Sequence, residues 1–256
     1  MATDLGVTFD LPLLQAVSDW QRGHSDRARS NQLGQALKKA CAHLPIQYRS
    51  GHLVCYRRVS LDKQGVMKLL GADSLKEKIS SWTFNTEVAK GMKGGVPFPA
   101  SNDLGVIFQT TPNPQNIIVN IRALYLDADF RDALFQNEKR IKNYDLGAGR
   151  YWDGEDEIVL EIDTVTQSNI YSLGGYSSPF DELVAKAAQS YYGRVDVTPE
   201  QVEALLVKAE PLRGIAGPRW LSEDATKRVL RNIEPHAKAL YKIKLAQDKA
   251  KADNSA

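Results

Sequence analysis

At 256 residues, 43% hydrophobic and 25% charged, the chain has an ordinary folded-protein composition and can support a core without disulfides or metals. Its net charge of +2 gives no argument for a membrane surface and none for nucleic acid, though neither composition nor charge excludes nucleic acid as a partner. Cys41 and Cys55 are too few for a disulfide framework and lack C-x-x-C spacing, and no stretch approaches the ~18 apolar residues of a membrane span. Met1-Ala2-Thr3-Asp4-Leu5-Gly6 has no basic region leading into an apolar run, so the expectation is a cytoplasmic protein without a signal peptide.

Residues 1–46 read as helical: Leu33, Ala36, Leu37 and Ala40 share one helical face, and Pro45 stops the segment. Residues 47–177 read as a strand-rich core. Its short β-favouring runs are Leu53–Leu61, Ile79–Phe84, Val106–Thr110, Ile117–Ile121 and Glu157–Asp163, with one helix near Thr86–Met92. Residues 178–256 read as helical again. Thr198 caps a helix with Pro199 at its first position, and a last helix starts near Ser222, kinks at Pro235 and frays after Ala246. The fold class expected is α+β, with helical regions at both ends that could join the core as one continuous domain.

Three strands carry candidate chemistry. In the last, six acids and no base lie between Asp153 and Asp163. Strand alternation sets Glu155, Glu157, Val159, Glu161 and Asp163 on one face and Ile158, Leu160 and Ile162 on the core face. Glu155 and Glu157 would then stand roughly 7 Å apart at their bases, repelling unless a cation or substrate lies between them. A solvated sheet face explains the same pattern. In the first strand, Arg57 alternates with Leu53, Cys55, Val59 and Leu61; burying its charge requires an anion, unless it snorkels from an edge strand. In the second, Ser81 and Thr83 share a face opposite Trp82, as in a ligand-orienting pair or an ordinary cross-strand ladder. The histidines His24, His43, His52 and His236 show no ligand spacing, and no metal is expected.

Taken in order, Tyr56-Arg57-Arg58, Ser81-Trp82-Thr83 and Glu155-Asp156-Glu157 resemble the R-S-E class of ADP-ribosyltransferases, which includes arginine-modifying bacterial toxins and phage enzymes. The resemblance covers about residues 50–167. It implies a split β-sandwich core, NAD⁺ as co-substrate, and transfer of ADP-ribose to arginine of target proteins, such as host transcription or translation machinery. Arg57 would grip the dinucleotide phosphates with help from Arg58. Ser81 would orient Glu157, Thr83 would support the site, and Glu157 would bind the nicotinamide ribose. Glu155 would hold and deprotonate the acceptor guanidinium. Tyr151 and Trp152, in the loop before Glu155, would contact the acceptor, and Phe98 would stack on nicotinamide. Trp82 stands where Thr is frequent in the class. The alternatives are an NAD⁺ glycohydrolase, a nucleic-acid acceptor, a non-catalytic binding module on the same fold, and a retaining glycosidase. The glycosidase leaves Arg57 and Ser81 unexplained.

Overall fold

The computed structural model describes residues 9–151, 154–193, 198–213 and 216–253. Two helices come first, each started by an aspartate. Asp10 accepts from Leu13 N at 3.0 Å to cap α1 (Leu11–Arg22), and Asp26 accepts from Arg29 N at 2.8 Å to cap α2 (Arg27–Ala40). The buried face of α2 carries Gly34, Leu37 and, just past its end, Cys41; Ala36 is exposed, contrary to the periodicity reading. The missing Cβ of Gly34 explains the difference. A Cβ there would come within 2.9 Å of Ile79, so the helix rests its glycine on the sheet.

The core follows as β1 (Cys55–Leu61), α3 (Lys63–Gly71), β2 (Leu75–Lys76), β3 (Ile79–Thr83), α4 (Thr86–Gly91), β4 (Leu104–Thr110) and β5 (Ile117–Asn120). Next come α5 (Ile121–Leu126), α6 (Ala128–Asn137), α7 (Ala148–Tyr151), β6 (Glu157–Glu161), β7 (Thr164–Val165) and β8 (Ile170–Ser177). The last elements are α8 (Phe180–Tyr192), α9 (Pro199–Arg213), β9 (Gly217–Trp220) and α10 (Glu223–Asp253). The fold is α+β with an antiparallel sheet ordered β5-β6-β3-β1-β4-β8-β9; β2 and β7 pair separately.

Three features depart from the sequence reading. The region after residue 178 is not wholly helical, because β9 joins the sheet beside β8. Helix α10 runs through Pro235 and on to Asp253 rather than fraying after Ala246. The strand-rich region also contains α3, α5 and α6, whose starts are capped by Asp62, Asn120 and Asp127. Among the described residues no helix is long and apolar enough to cross a membrane.

The sheet is covered on both faces. One core joins α1 and α2 to Val119, Val159, Leu124 and Phe130, and the other joins Cys55, Trp82, Phe108, Ile158 and Leu160 to α3 and α10. Strands β1 and β3 pair only at Tyr56 and Thr83, whereas β3 follows β6 along its whole length. The sheet therefore divides there into a three-stranded and a four-stranded part.

The segment leading to β6 docks on α1. Ala148 N donates to Ser18 Oγ at 3.2 Å, and a Cβ on Gly147 would lie 2.2 Å from Ser18 O. Backbone cannot give way as a side-chain tip can, so Gly147→Ala is expected to cost roughly 1–3 kcal/mol and to lower Tm by about 2–4 °C for each kcal/mol. Gly154→Ala, with nothing among the described residues within 4 Å of its added Cβ, is expected to leave Tm within about a degree. Thermal denaturation followed by circular dichroism makes the comparison; equal Tm values would mean the segment docks elsewhere.

Candidate active site

The site is built around the first residue of β6. Glu157 is only 5% exposed, because α1 closes over the face that alternation assigns to it. A solvated sheet face is thereby ruled out for this strand: Val159 on the same side and Ile158 and Leu160 on the other are all fully buried. Glu161, nearer the rim, pairs with Lys38 of α2.

The register fixes who meets Glu157. Thr83 lies directly opposite it, and Ser81 lies opposite Val159, one diagonal step away on the same face. Ser81 Oγ donates to Glu157 Oε1 at 2.5 Å, and Trp20 Nε1 of α1 donates to the same oxygen at 2.9 Å. The other carboxylate oxygen, Oε2, is buried and has no hydrogen-bond partner among the described residues. Thr83 acts on the backbone instead. Its hydroxyl donates to the Glu155 carbonyl at 2.6 Å and accepts from Asn85 N at 3.1 Å.

Glu155 does not reach the site by strand alternation. The strand begins at Glu157, and Asp156 adopts a left-handed backbone with φ of 45°. That conformation is uncommon for a residue with a side chain, and aspartate tolerates it better than most. Phe84 N donates to the Asp156 carbonyl at 3.0 Å, and Arg122 Nε pairs with Asp156 Oδ1 at 3.0 Å, which holds the turn from both sides. Glu155 and Glu157 still converge: both line a cavity of about 330 Å³ with Gln21, Arg122, Tyr125 and Tyr151.

The two arginines of β1 behave differently. Arg57 crosses to β3 where the two strands diverge. Its Nη1 donates to the Ser81 carbonyl at 2.9 Å and its Nη2 lies 3.4 Å from Glu77 Oε1, while Nε is buried without a partner among the described residues. An internal carboxylate thus supplies part of the anion that Arg57 requires. Arg58 is the more deeply buried, at 7% exposed. It donates from Nη2 to the Gly95 carbonyl at 2.9 Å, and its Nε and Nη1 have no partner among the described residues. Burial pushes its pKa down, and Asp103 partly opposes this.

Of the residues singled out in sequence, Arg57, Ser81 and Glu157 are joined by hydrogen bonds and Glu155 shares a cavity with Glu157, but Arg57, Arg58 and Ser81 do not line that cavity; Thr83 supports the Glu155 backbone, and Tyr151 lines the cavity beneath the Arg150 guanidinium, 5.4 Å from its ring centre. Phe98 is 74% exposed and lines no part of this cavity. Trp152 lies outside the described residues. Sequence reasoning missed Trp20, Gln21, Arg122 and Tyr125. Trp20 and Gln21 end the α1 stripe begun by Leu13, Leu14 and Val17, and an indole one turn beyond such a stripe was the available signal.

Both carboxyls hold their protons more tightly than usual. Burial raises Glu157 most; Ser81, Trp20, Gln21 and Arg57 oppose it. Glu155 is raised to about 7, first by burial and then by the charge of Glu157, against the pull of Arg150. Two adjacent buried carboxylates without a cation between them cannot both ionise cheaply.

Comparisons with protein-family models, curated proteins and solved structures give no match. What bears on function is the chemistry of this site.

A carboxyl raised above its unfolded value binds its proton more tightly when folded. Glu155 therefore contributes most to stability below its ordinary value of 4.5 and loses that contribution as pH rises toward about 7. Glu155→Gln, neutral at every pH, is expected to gain on the wild type between pH 5 and pH 8 in thermal unfolding. An unchanged difference in Tm across that window would show that Glu155 titrates as an ordinary surface carboxylate.

Proposed function

We propose that the protein is a mono-ADP-ribosyltransferase that moves ADP-ribose from NAD⁺ to arginine residues of target proteins and releases nicotinamide. The observation that carries this reading is a hydrogen-bonded line across three strands. Arg57 donates to the Ser81 carbonyl, and the Ser81 hydroxyl donates to Glu157. An arginine, a serine and a glutamate from β1, β3 and β6 are thus joined in the order of the R-S-E class, on a sheet that divides between β1 and β3.

The chemistry suits the groups present. Nε of Arg57 has no partner among the described residues and Glu77 matches that guanidinium only in part, so the pyrophosphate of NAD⁺ would supply the rest of its anion, while Arg58, next along the strand, reaches the Gly95 carbonyl instead. The bond between ribose C1′ and the nicotinamide nitrogen breaks, and its electron pair leaves with neutral nicotinamide. Positive charge spreads over C1′ and the ring oxygen of ribose. The unpaired Oε2 of Glu157 is the fixed anion for that cation. A guanidinium nitrogen of the acceptor then bonds to C1′ and passes its proton to Glu155, whose raised pKa favours holding it. Both carboxylates line one cavity, as a shared site for the ribosyl cation and acceptor requires. Tyr151 offers an aromatic contact to the acceptor at its rim.

Glu157→Gln is expected to lower nicotinamide release by on the order of 10²–10³. Glu155→Gln is expected to lose arginine modification yet retain some NAD⁺ hydrolysis. Incubation with labelled NAD⁺ and a bacterial lysate checks the whole reading. Labelled protein that disappears with Glu157→Gln supports it. Label on nucleic acid would change the acceptor, and nicotinamide released without label would make the protein a glycohydrolase. No label and no nicotinamide would sink the enzyme reading in favour of a binding module.

A further inference from the structure

We infer that Trp20, from α1, is a positioning residue for Glu157: its indole N–H joins the Ser81 hydroxyl on Oε1, leaving Oε2 without a hydrogen bond among the described residues and turned to meet a substrate. A carboxylate oxygen has two lone pairs. Ser81 Oγ occupies one at 2.5 Å and Trp20 Nε1 occupies the other at 2.9 Å. The last torsion of a glutamate is broad and poorly restrained by itself, so a single donor leaves the carboxylate plane free to swing. Two donors on separate elements, β3 and α1, fix it. Trp20 is itself held, since it packs against the core formed by Leu13, Leu14, Val17 and Val159. The neighbouring Gln21 is anchored too, its Oε1 accepting from the Tyr125 hydroxyl at 2.8 Å.

Among the described residues, the charged and titratable groups around Glu157 are Arg57 from β1, Glu155 from the preceding turn and Tyr125 from α5. Helix α1 adds only the neutral Trp20 and Gln21. Trp20 therefore steadies the Glu157 anion by its N–H alone. Losing a donor to the charged form of a carboxyl raises its pKa, whereas losing packing does not by itself. What Oε2 does in catalysis rests on the transferase reading; the bond from Trp20 and its effect on Glu157 do not.

Trp20→Phe keeps an aromatic ring and removes the N–H. In protein labelled with ¹³C at glutamate carboxyls, Glu157 is expected to titrate at higher pH in Trp20→Phe than in the wild type. The Trp20 indole ¹⁵N–¹H signal of the wild type is expected to move with that titration and to stop moving in Glu157→Gln. In turnover, kcat for nicotinamide release is expected to fall about tenfold. KM for NAD⁺ should change little, and the acid limb of the pH profile should shift upward. An indole signal indifferent to Glu157→Gln would overturn the inference, as would a Trp20→Phe protein with a lower Tm but the wild-type Glu157 titration. Should Trp20→Phe not fold, the indole comparison between wild type and Glu157→Gln decides alone. A wild type without NAD⁺ turnover would remove the transferase reading and leave both titrations to judge Trp20.

Discussion

A carboxylate that is 5% exposed is the constraint around which this molecule is arranged. Removing an ionised carboxylate from water costs several kcal/mol even after the protein relaxes. Each charge-assisted hydrogen bond returns about 1.5–3 kcal/mol. Ser81 and Trp20 together offset much of the cost at one oxygen; the other has no hydrogen bond among the described residues, and Gln21 and Arg57 add only smaller help to the carboxylate as a whole. The balance leaves Glu157 with a raised pKa and an unmet demand for a cation or a donor. A buried acid left half-satisfied is poor architecture for stability alone. It is good architecture for a site whose ligand brings positive charge.

The surrounding elements supply what that carboxylate needs at different ranges. Strand β3 delivers Ser81 by register, since a diagonal neighbour in an antiparallel pair lies within side-chain reach. Helix α1 delivers Trp20 across 137 residues of sequence, and it can do so because Gly147 lets the chain before β6 press against the Ser18 backbone. Arg57 ties the four-stranded part of the sheet to the three-stranded part at the Ser81 carbonyl, so a displacement of β1 is felt at Glu157 through a single residue. The left-handed turn at Asp156 then separates the two glutamates by role. Glu157 belongs to the strand and its side chain is held by Ser81 and Trp20, while Glu155 precedes the strand and is held by its backbone to Thr83.

Much of this was legible in the sequence, and the remainder failed for identifiable reasons. The strands bearing Arg57, Ser81 and Glu157 emerge from β-favouring runs to within one or two residues, apart from the Leu53–Val54 overhang, which is exposed. Alternation correctly sends Ile158 and Leu160 to a core, yet it implies water on the other side. The unbroken run Ile158-Val159-Leu160 was the better guide, because such runs mark strands covered on both faces. Asn120 and Asp127 were visible caps for α5 and α6, hidden by the expectation of a strand-rich region. The approach of Trp20 to Glu157 and the φ of Asp156 are products of tertiary packing, which no local pattern encodes.

On the transferase reading, the pairing of a raised Glu155 with a guanidinium acceptor sets a limit on how the transfer proceeds. A guanidinium holds its proton far more tightly than an ordinary glutamate, which releases its own near 4.5. Full proton transfer before attack would therefore be steeply uphill. Raising Glu155 to about 7 shortens that climb without removing it. The nitrogen becomes far more acidic only as its lone pair is drawn into the new bond to C1′, so the proton must leave as that bond forms. Glu155 then has to stand beside the nitrogen at the moment of attack, and a flexible side chain on an unrestrained loop would seldom do so. Its backbone is pinned by Thr83 on one side, and the adjoining Asp156 is clamped by Arg122 on the other. Those two contacts, rather than the raised pKa alone, would make Glu155 a competent base.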